Sequence, residues 1–115
     1  MESEFQSPRK LLFKAWNKET KLLMRLDTIE CIKGELVKKD HILLQFTGLY
    51  DKAGEELYEM DILLVGKDRY VIAWRGDPAA WHMVQVYNHA VHQPLSQAVA
   101  RSGVKLCSYF ESEKK

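Results

Sequence analysis

Histidine is the residue type in this sequence best suited to metal chemistry. A zinc site needs three or four imidazole, thiolate or carboxylate donors that converge tetrahedrally. The chain has four histidines, at positions 41, 82, 89 and 92, but no Cys-x-x-Cys pair accompanies them. This spacing favours exposed or capping histidines over a structural metal site. The sequence therefore predicts neither a metal nor another cofactor.

Carboxylates concentrated in the middle of the chain are candidates for acid–base chemistry. Such catalysis requires two carboxyl groups held close together in unlike environments. The candidates are Asp40, Asp51, Glu55, Glu56, Glu59 and Asp61. Most of them fall in a predicted turn, where we expect solvated carboxylates. The serines form no Gly-x-Ser-x-Gly motif and the glycines form no phosphate-binding loop, so we expect no enzymatic activity; a small hydrolase remains an open alternative.

Aromatic and basic residues alternate in the second half of the chain, at Arg69, Trp74, Arg75, Trp81 and Tyr87. This mixture is typical of single-stranded nucleic acid binders, which stack bases on aromatic rings and pair phosphates with cations. Tryptophan and arginine are also enriched at the centres of protein interfaces. Burial of tryptophan in a small barrel explains the same pattern, and we favour that interpretation. If the turn between the tryptophans is exposed, these five residues form the candidate interaction surface.

The elements that would position these residues are predominantly strands. In the first half, residues 10–16 and 21–24 flank a polar turn, which predicts a β-hairpin. Gly34 can supply the positive φ of a tight turn between residues 29–32 and a strand that begins at Leu36. Residues 42–46 are short, continuous and apolar, and the flanking turn signals favour a strand over a helix.

The second half continues this pattern of short strands and turns. Residues 61–65 and 69–74 form the clearest hairpin, with Tyr70, Ile72 and Trp74 on one face of its second strand. Alternation resumes over residues 81–87. One short helix is predicted over residues 94–100, with proline at its start and Gly103 as its stop, followed by a strand over residues 104–110. Many short strands at such intervals indicate a small barrel.

Composition and patterning together give a domain outline. We expect a flexible arm over residues 1–9, an N-terminal β region over 10–44 packed on the barrel, the barrel over 45–110, and a flexible tail over 111–115. The longest apolar stretches are too short to cross a bilayer and the start lacks a signal peptide, which favours a cytoplasmic location. Cys31 and Cys107 are expected to be structural thiols rather than a disulfide.

The net charge of the chain gives little overall attraction to nucleic acid. The net charge is +1, and residues 40–65 hold one basic residue against six acidic residues. A phosphate-binding face in this segment would face electrostatic repulsion. The middle of the chain is therefore a poor candidate for a nucleic-acid contact.

Two motifs resemble those of the YopX family of small phage and prophage proteins. The first is residues 13–19 (FKAWNKE) with Met24 following; the second is residues 45–62 (QFTGLYDKAGEELYEMDI), continued by residues 70–74 (YVIAW). The resemblance implies a mostly β fold with an SH3-like barrel in the second part, phage or prophage origin, and self-association. It implies no catalytic residues. Met60 stands where the family pattern usually has glycine, which predicts a shifted turn or local strain if φ is positive there.

The function that we predict is a non-enzymatic interaction module. Its partner is another protein or a second copy of the chain, reached through exposed strand edges. The alternative is a nucleic-acid-binding module that uses Arg69, Arg75 and the neighbouring aromatic residues. We expect no membrane contact and no small-molecule substrate. The residues themselves do not identify the partner.

Overall fold

A computed structural model describes residues 10–76 and 79–113, in which strands predominate. The predicted flexible arm over 1–9 and the last two residues of the predicted tail lie outside the described residues. The elements are, in order, β1 (Phe13–Asn17), β2 (Leu22–Arg25), β3 (Glu30–Ile32), β4 (Glu35–Val37), β5 (His41–Tyr50), β6 (Glu56–Tyr58), β7 (Asp61–Val65), β8 (Asp68–Gly76), β9 (Ala79–Gln85), β10 (His92–Pro94), α1 (Gln97–Ala100), β11 (Val104–Ser108) and α2 (Tyr109–Ser112).

The strands form two larger sheets and one separate hairpin. One sheet has four strands in the order β2-β1-β5-β6, and the other has five strands in the order β10-β9-β8-β7-β11. Strands β3 and β4 pair only with each other. The prediction of a mostly β chain is confirmed, and the structure shows a curled half-barrel sheet. An SH3-like barrel remains a prediction. β5 runs across the boundary predicted between residues 44 and 45.

The N-terminal hairpin forms where the sequence predicts it. β1 and β2 pair antiparallel from Lys14 opposite Arg25 to Asn17 opposite Leu22. The Asn17 side-chain oxygen accepts hydrogen bonds from the backbone N–H groups of Glu19 (2.9 Å) and Thr20 (3.1 Å). An asparagine that bonds its own turn in this way fixes the direction of the returning strand. The hairpin prediction is therefore confirmed.

The main core lies on the inner face of the five-stranded sheet. β7 and β8 form the predicted hairpin, and β9 continues it. Leu63, Ile72 and Met83, one from each of these strands, are fully buried. The buried cluster is completed by Leu57, Leu95 and Ala100. Because side chains alternate along a strand, this core fixes which residues of β8 and β9 face the other side.

The C-terminal helices differ from the prediction of a single helix over residues 94–100. Pro94 is the last residue of β10, and α1 begins at Gln97 after the N-cap Ser96. The strand predicted over 104–110 ends at Ser108, where a second helix begins. Ser108 and Glu111 form a capping box, which satisfies backbone donors of the first turn and so ends the strand. Neither helix of the described chain has the length and apolar character that a bilayer crossing needs.

Met60 occupies a turn in a backbone conformation that side chains disfavour. Its φ is +69°, in the left-handed region. Two hydrogen bonds hold it there: its N–H donates to the Ile72 carbonyl (2.7 Å), and its carbonyl accepts from the Tyr109 N–H (2.6 Å). A residue with a Cβ in this region carries strain of about 1–2 kcal/mol. The strain that the sequence predicts at this position is therefore present.

Relief of this strain is a testable effect on stability. We expect Met60→Gly to raise the free energy of unfolding by about 1 kcal/mol, because glycine adopts positive φ without steric conflict. The measurement is urea denaturation followed by tryptophan fluorescence. Met60→Ala is the control, since it shortens the side chain but keeps the strain, and it should not stabilise the protein. Equal stabilities for the two variants would contradict this explanation.

Candidate interaction surfaces

The structure places the five residues of the predicted interaction surface at different sites. Trp74 and Trp81 stand directly opposite each other on β8 and β9. They share the inner face of the sheet with the core residues, whereas Arg69 and Arg75 alternate to the outer face. Tyr87 lies beyond the end of β9 and is 82% exposed. The five side chains therefore do not form one continuous surface.

The two tryptophans line the rim of a groove that we call the tryptophan groove. Their rings meet edge to face, with centroids 5.1 Å apart and an interplanar angle of 76°. Trp81 is half-buried and packs on the main core, whereas Trp74 is 53% exposed. The groove has a volume of about 440 Å³ and runs between the two larger sheets. The expectation of tryptophan burial thus fits Trp81 but is wrong for Trp74.

The polar lining of the tryptophan groove is mixed in charge. Lys10, Gln45 and Glu59 contribute to it. Partial burial raises the pKa of the Glu59 carboxyl, and the Gln45 backbone contact opposes the shift only in part. One cation and one carboxylate give no consistent attraction for an anionic or cationic ligand. The groove can accept an apolar or aromatic group, but its charges do not select one.

A second depression, which we call the outer hollow, lies on the opposite face of the five-stranded sheet. Its floor is formed by Val71 and Ala73 from β8 and Val84 from β9. The rest of its wall comes from Met60, Arg75, His89 and Tyr109. Its volume is about 300 Å³. The hollow is therefore apolar at its base, with cationic or titratable side chains at its rim.

The histidines do not all match the expectation of exposed or capping side chains. His82 is only 4% exposed, because β10 pairs with β9 and Pro94 lies opposite it. Its Nδ1 lies 3.3 Å from Nδ1 of His92, and its Nε2 is buried without a hydrogen-bond partner. Burial lowers the pKa of His82, and the nearby His92 and Arg75 lower it further. The lowered pKa favours the neutral form of His82.

The histidine pair lacks the donors of a metal centre. Over residues 10–76 and 79–113, no group of three or more histidine, cysteine or acidic side chains converges. His41 instead bonds the Lys39 carbonyl through Nδ1 (2.7 Å), and His89 is exposed at the rim of the outer hollow. Two imidazoles alone do not complete a tetrahedral site.

The expectation of solvated carboxylates is wrong for two of the acidic residues. Asp51 is 3% exposed and Asp61 is 1% exposed. The Asp51 carboxylate accepts hydrogen bonds from the backbone N–H groups of Ala53 (2.9 Å), Glu55 (2.8 Å) and Lys105 (2.8 Å). Burial alone would raise the pKa of Asp51, but these three donors together lower it. Through these hydrogen bonds the carboxylate holds the turn and β11 in place.

Asp61 is held by a different set of partners. Its Oδ2 accepts from the Tyr58 N–H (2.8 Å) and lies 3.6 Å from the Lys105 ammonium. Burial raises the pKa of Asp61, and the Tyr58 N–H, Lys105 and Lys14 oppose this only in part. The Lys14 ammonium lies 4.5 Å from the centre of the Tyr58 ring. These contacts tie β1, β6, β7 and β11 together across the two sheets.

The hairpin of β3 and β4 is exposed along its whole length, and the sequence interpretation did not single it out as a surface. Every residue of both strands is exposed. Three of them are large apolar side chains, with exposed fractions of 48% for Ile32, 39% for Leu36 and 39% for Val37.

The two cysteines are free thiols in different surroundings. Cys31 is exposed in β3, whereas Cys107 is half-buried in β11. Burial raises the pKa of the Cys107 thiol, and the carboxylates of Glu111 and Asp61 raise it further. A raised pKa reduces the thiolate fraction and therefore the reactivity of Cys107. The expectation of thiols rather than a disulfide holds for both residues, although Cys31 is exposed and not part of the core.

Comparison with protein families gives one match. The family model described as YopX protein matches residues 18–104, which is most of the chain. This range includes the β3–β4 hairpin, the tryptophan groove residues of β5, β8 and β9, and the start of β11. No match was found among curated proteins.

Proposed function

Because the chain belongs to the YopX family, we propose that it is a non-enzymatic protein of phage or prophage origin that acts by contacting another protein. Its contact element is the β3–β4 hairpin, and the first partner that we propose is a second copy of the chain. The observation that supports this proposal is the exposure of every hairpin residue. A two-stranded hairpin is only marginally stable alone in water, so its apolar side chains gain burial when a partner covers them.

The turn between β3 and β4 holds the two strands in a fixed arrangement. Lys33 has a φ of +51° and Gly34 a φ of +84°, the signs that a two-residue type I′ turn requires. This turn matches the twist of the paired strands and fixes their register, from Glu30 opposite Val37 to Ile32 opposite Glu35. An element already held in its bound shape loses less conformational entropy on association.

The strand that precedes the hairpin in the chain also exposes apolar side chains. β2 is one of the two edge strands of the four-stranded sheet. Its side chains Leu22 and Met24 are 53% and 41% exposed. An edge strand presents unpaired backbone donors and acceptors that a further strand can use. The N-terminal half therefore offers both apolar side chains and a backbone edge to a partner.

The self-association part of the proposal is tested by mass in solution. We expect the wild-type chain to exceed the monomer mass by light scattering as its concentration rises. Replacing two apolar side chains of the hairpin, in Ile32→Ser with Val37→Ser, should weaken this association by about tenfold or more, as is typical when central apolar contacts are lost. Far-ultraviolet circular dichroism reports whether the variant keeps its strands.

Leu106→Ser is the matched control, since Leu106 is 44% exposed but lies on β11, outside the hairpin. It should leave the association unchanged. A wild-type mass equal to the monomer over a wide concentration range would contradict self-association. A hairpin variant that associates as strongly as the wild type would contradict the choice of contact element.

The nucleic-acid-binding alternative remains a prediction that the geometry does not favour. The tryptophans and the two arginines, Arg69 and Arg75, lie on opposite faces of the sheet, so stacking and phosphate contacts do not converge. An SH3-like form of the half-barrel and a cytoplasmic location also remain predictions.

A further inference from the structure

The two faces of the β3–β4 hairpin differ in composition. Opposite residues in an antiparallel pair place their side chains on the same face. One face therefore carries Glu30, Ile32, Glu35 and Val37, and the other carries Cys31 and Leu36. The first face combines two apolar side chains with two carboxylates. It is both apolar and acidic.

The outer hollow has the complementary character. Its floor is apolar, and the exposed Arg75 lies at its rim. Arg69, which is also exposed, lies on the same face of β8 because the two arginines are separated by an even number of residues. Val71 and Ala73 of the floor lie between the two arginines along β8, although only Arg75 lines the hollow itself. An apolar floor with a cation at either end fits an apolar strand pair that carries carboxylates.

Neither surface is used by the other within one chain. The hairpin residues are exposed and the hollow is open in the same structure. We propose that the hairpin of one copy docks in the outer hollow of a second copy, with Ile32 and Val37 over the apolar floor and Glu30 and Glu35 towards Arg69 and Arg75. This inference rests on the proposed self-association and specifies its geometry.

The proposed contact joins two different surfaces, and this has a structural consequence. Each copy would offer a hairpin to one neighbour and a hollow to another. Such a heterologous contact produces a ring if the rotation between copies closes, and a filament if it does not. A contact between two hairpins would instead produce a closed dimer by two-fold symmetry.

A charge exchange distinguishes these arrangements. The hairpin variant is Glu30→Arg with Glu35→Arg, and the hollow variant is Arg69→Glu with Arg75→Glu. Each alone places like charges at the contact, so each should show only the monomer mass at concentrations where the wild type associates. An equimolar mixture brings each altered surface against an opposite charge, and the mass should rise again. The single chain with all four substitutions should associate as well.

Charge reversals elsewhere on the surface serve as controls. Glu19→Lys lies in the β1–β2 turn and Arg101→Glu follows α1, and both residues are exposed. Both variants should keep the wild-type mass. Circular dichroism of each variant reports whether the fold is retained, and recovery of mass in the mixture shows that both partners are folded.

The outcomes separate this inference from the proposed function. A wild-type chain that remains monomeric contradicts self-association and this inference with it. A wild-type chain that associates while the hollow variant keeps the same mass contradicts the docking site alone. Loss of association in both variants without recovery in the mixture also contradicts it, because the proposed charge pairing would then be absent.

Discussion

Asp51→Ala is expected to lower the free energy of unfolding by about 3–5 kcal/mol, because each buried donor left without a partner costs about 1–3 kcal/mol. The substitution leaves the backbone N–H groups of Ala53, Glu55 and Lys105 without their acceptor, at a site where the side chain is 3% exposed. Urea denaturation at neutral pH measures the effect.

Asp51→Asn is the matched control. The amide keeps the shape and one acceptor oxygen, but its NH₂ group faces one of the backbone donors. It should therefore destabilise the protein by less than alanine does. If alanine and asparagine both left the unfolding midpoint near the wild-type value, the three hydrogen bonds would not hold this turn.

Titration of the Asp51 carboxyl makes the stability of the protein depend on pH, and the sign of this dependence is known. The pKa of Asp51 in the folded protein is lowered from the ordinary value of 3.8. Its contribution to stability is therefore present above this ordinary value and is lost as the pH falls through the lower folded value. Asp51→Ala should remove this part of the acid sensitivity, which a comparison of unfolding midpoints between pH 3 and 6 would show.

Asp61→Ala should also destabilise the protein by about 3–5 kcal/mol, the usual effect of removing one partner from a buried ion pair. The Lys105 ammonium would lose its carboxylate at 3.6 Å, and the Tyr58 N–H would lose its acceptor. Lys14 lies in the same cluster. Burial lowers the pKa of its ammonium group, and repulsion from Lys105 lowers it further. Removal of the Asp61 carboxylate takes away an attraction that opposes the repulsion between the Lys14 and Lys105 ammonium groups.

A double-mutant cycle separates the ion pair from the backbone hydrogen bond. Asp61→Asn keeps an acceptor for the Tyr58 N–H but removes the charge, and Lys105→Met removes the cation while keeping an apolar stem. The double variant should be more stable than the sum of the two single effects implies, by about 1–3 kcal/mol of coupling. Purely additive effects would mean that the pair contributes no interaction.

The pH dependence of Asp61 has the opposite sign to that of Asp51. Burial raises its folded pKa above the ordinary value of 3.8. Folding therefore favours protonation of Asp61 relative to the unfolded chain. This contribution to stability is fully present below the ordinary value and is lost as the pH rises through the folded pKa. The two buried carboxylates thus act in opposite directions on acid stability, and the single variants distinguish them.

These buried contacts also bear on the proposed function. Asp61, Tyr58, Lys14 and Lys105 lie at the junction of the two larger sheets and join them at several points. The hairpin of β3 and β4 has no such anchoring and is exposed along its whole length. Under the proposed function, this exposed apolar hairpin would contact the partner while the anchored sheets keep their own core.

Part of the candidate surface could be read from alternation alone. Arg69 and Trp74 are five positions apart in the strand predicted over residues 69–74, so alternation alone places their side chains on opposite faces. The prediction placed Arg75 beyond that strand, whereas the structure includes it in β8. The second helix also had a local signal, because Ser108 and Glu111 have the spacing of a capping box. The hairpin at Gly34 was predicted, but its isolation from the rest of the chain was not.

The sequence by itself determined the strand-rich class, the family, the first hairpin and the hairpin of β7 and β8, because alternation and turn residues act over a few neighbouring positions. Only the tertiary structure decided that Asp51 and Asp61 are buried, that Trp74 is exposed while Trp81 packs on the core, and that the β3–β4 hairpin stands uncovered. Burial depends on which distant segments pack against a residue. Asp51 is enclosed by β11, more than fifty positions later in the chain, and no local pattern encodes that contact.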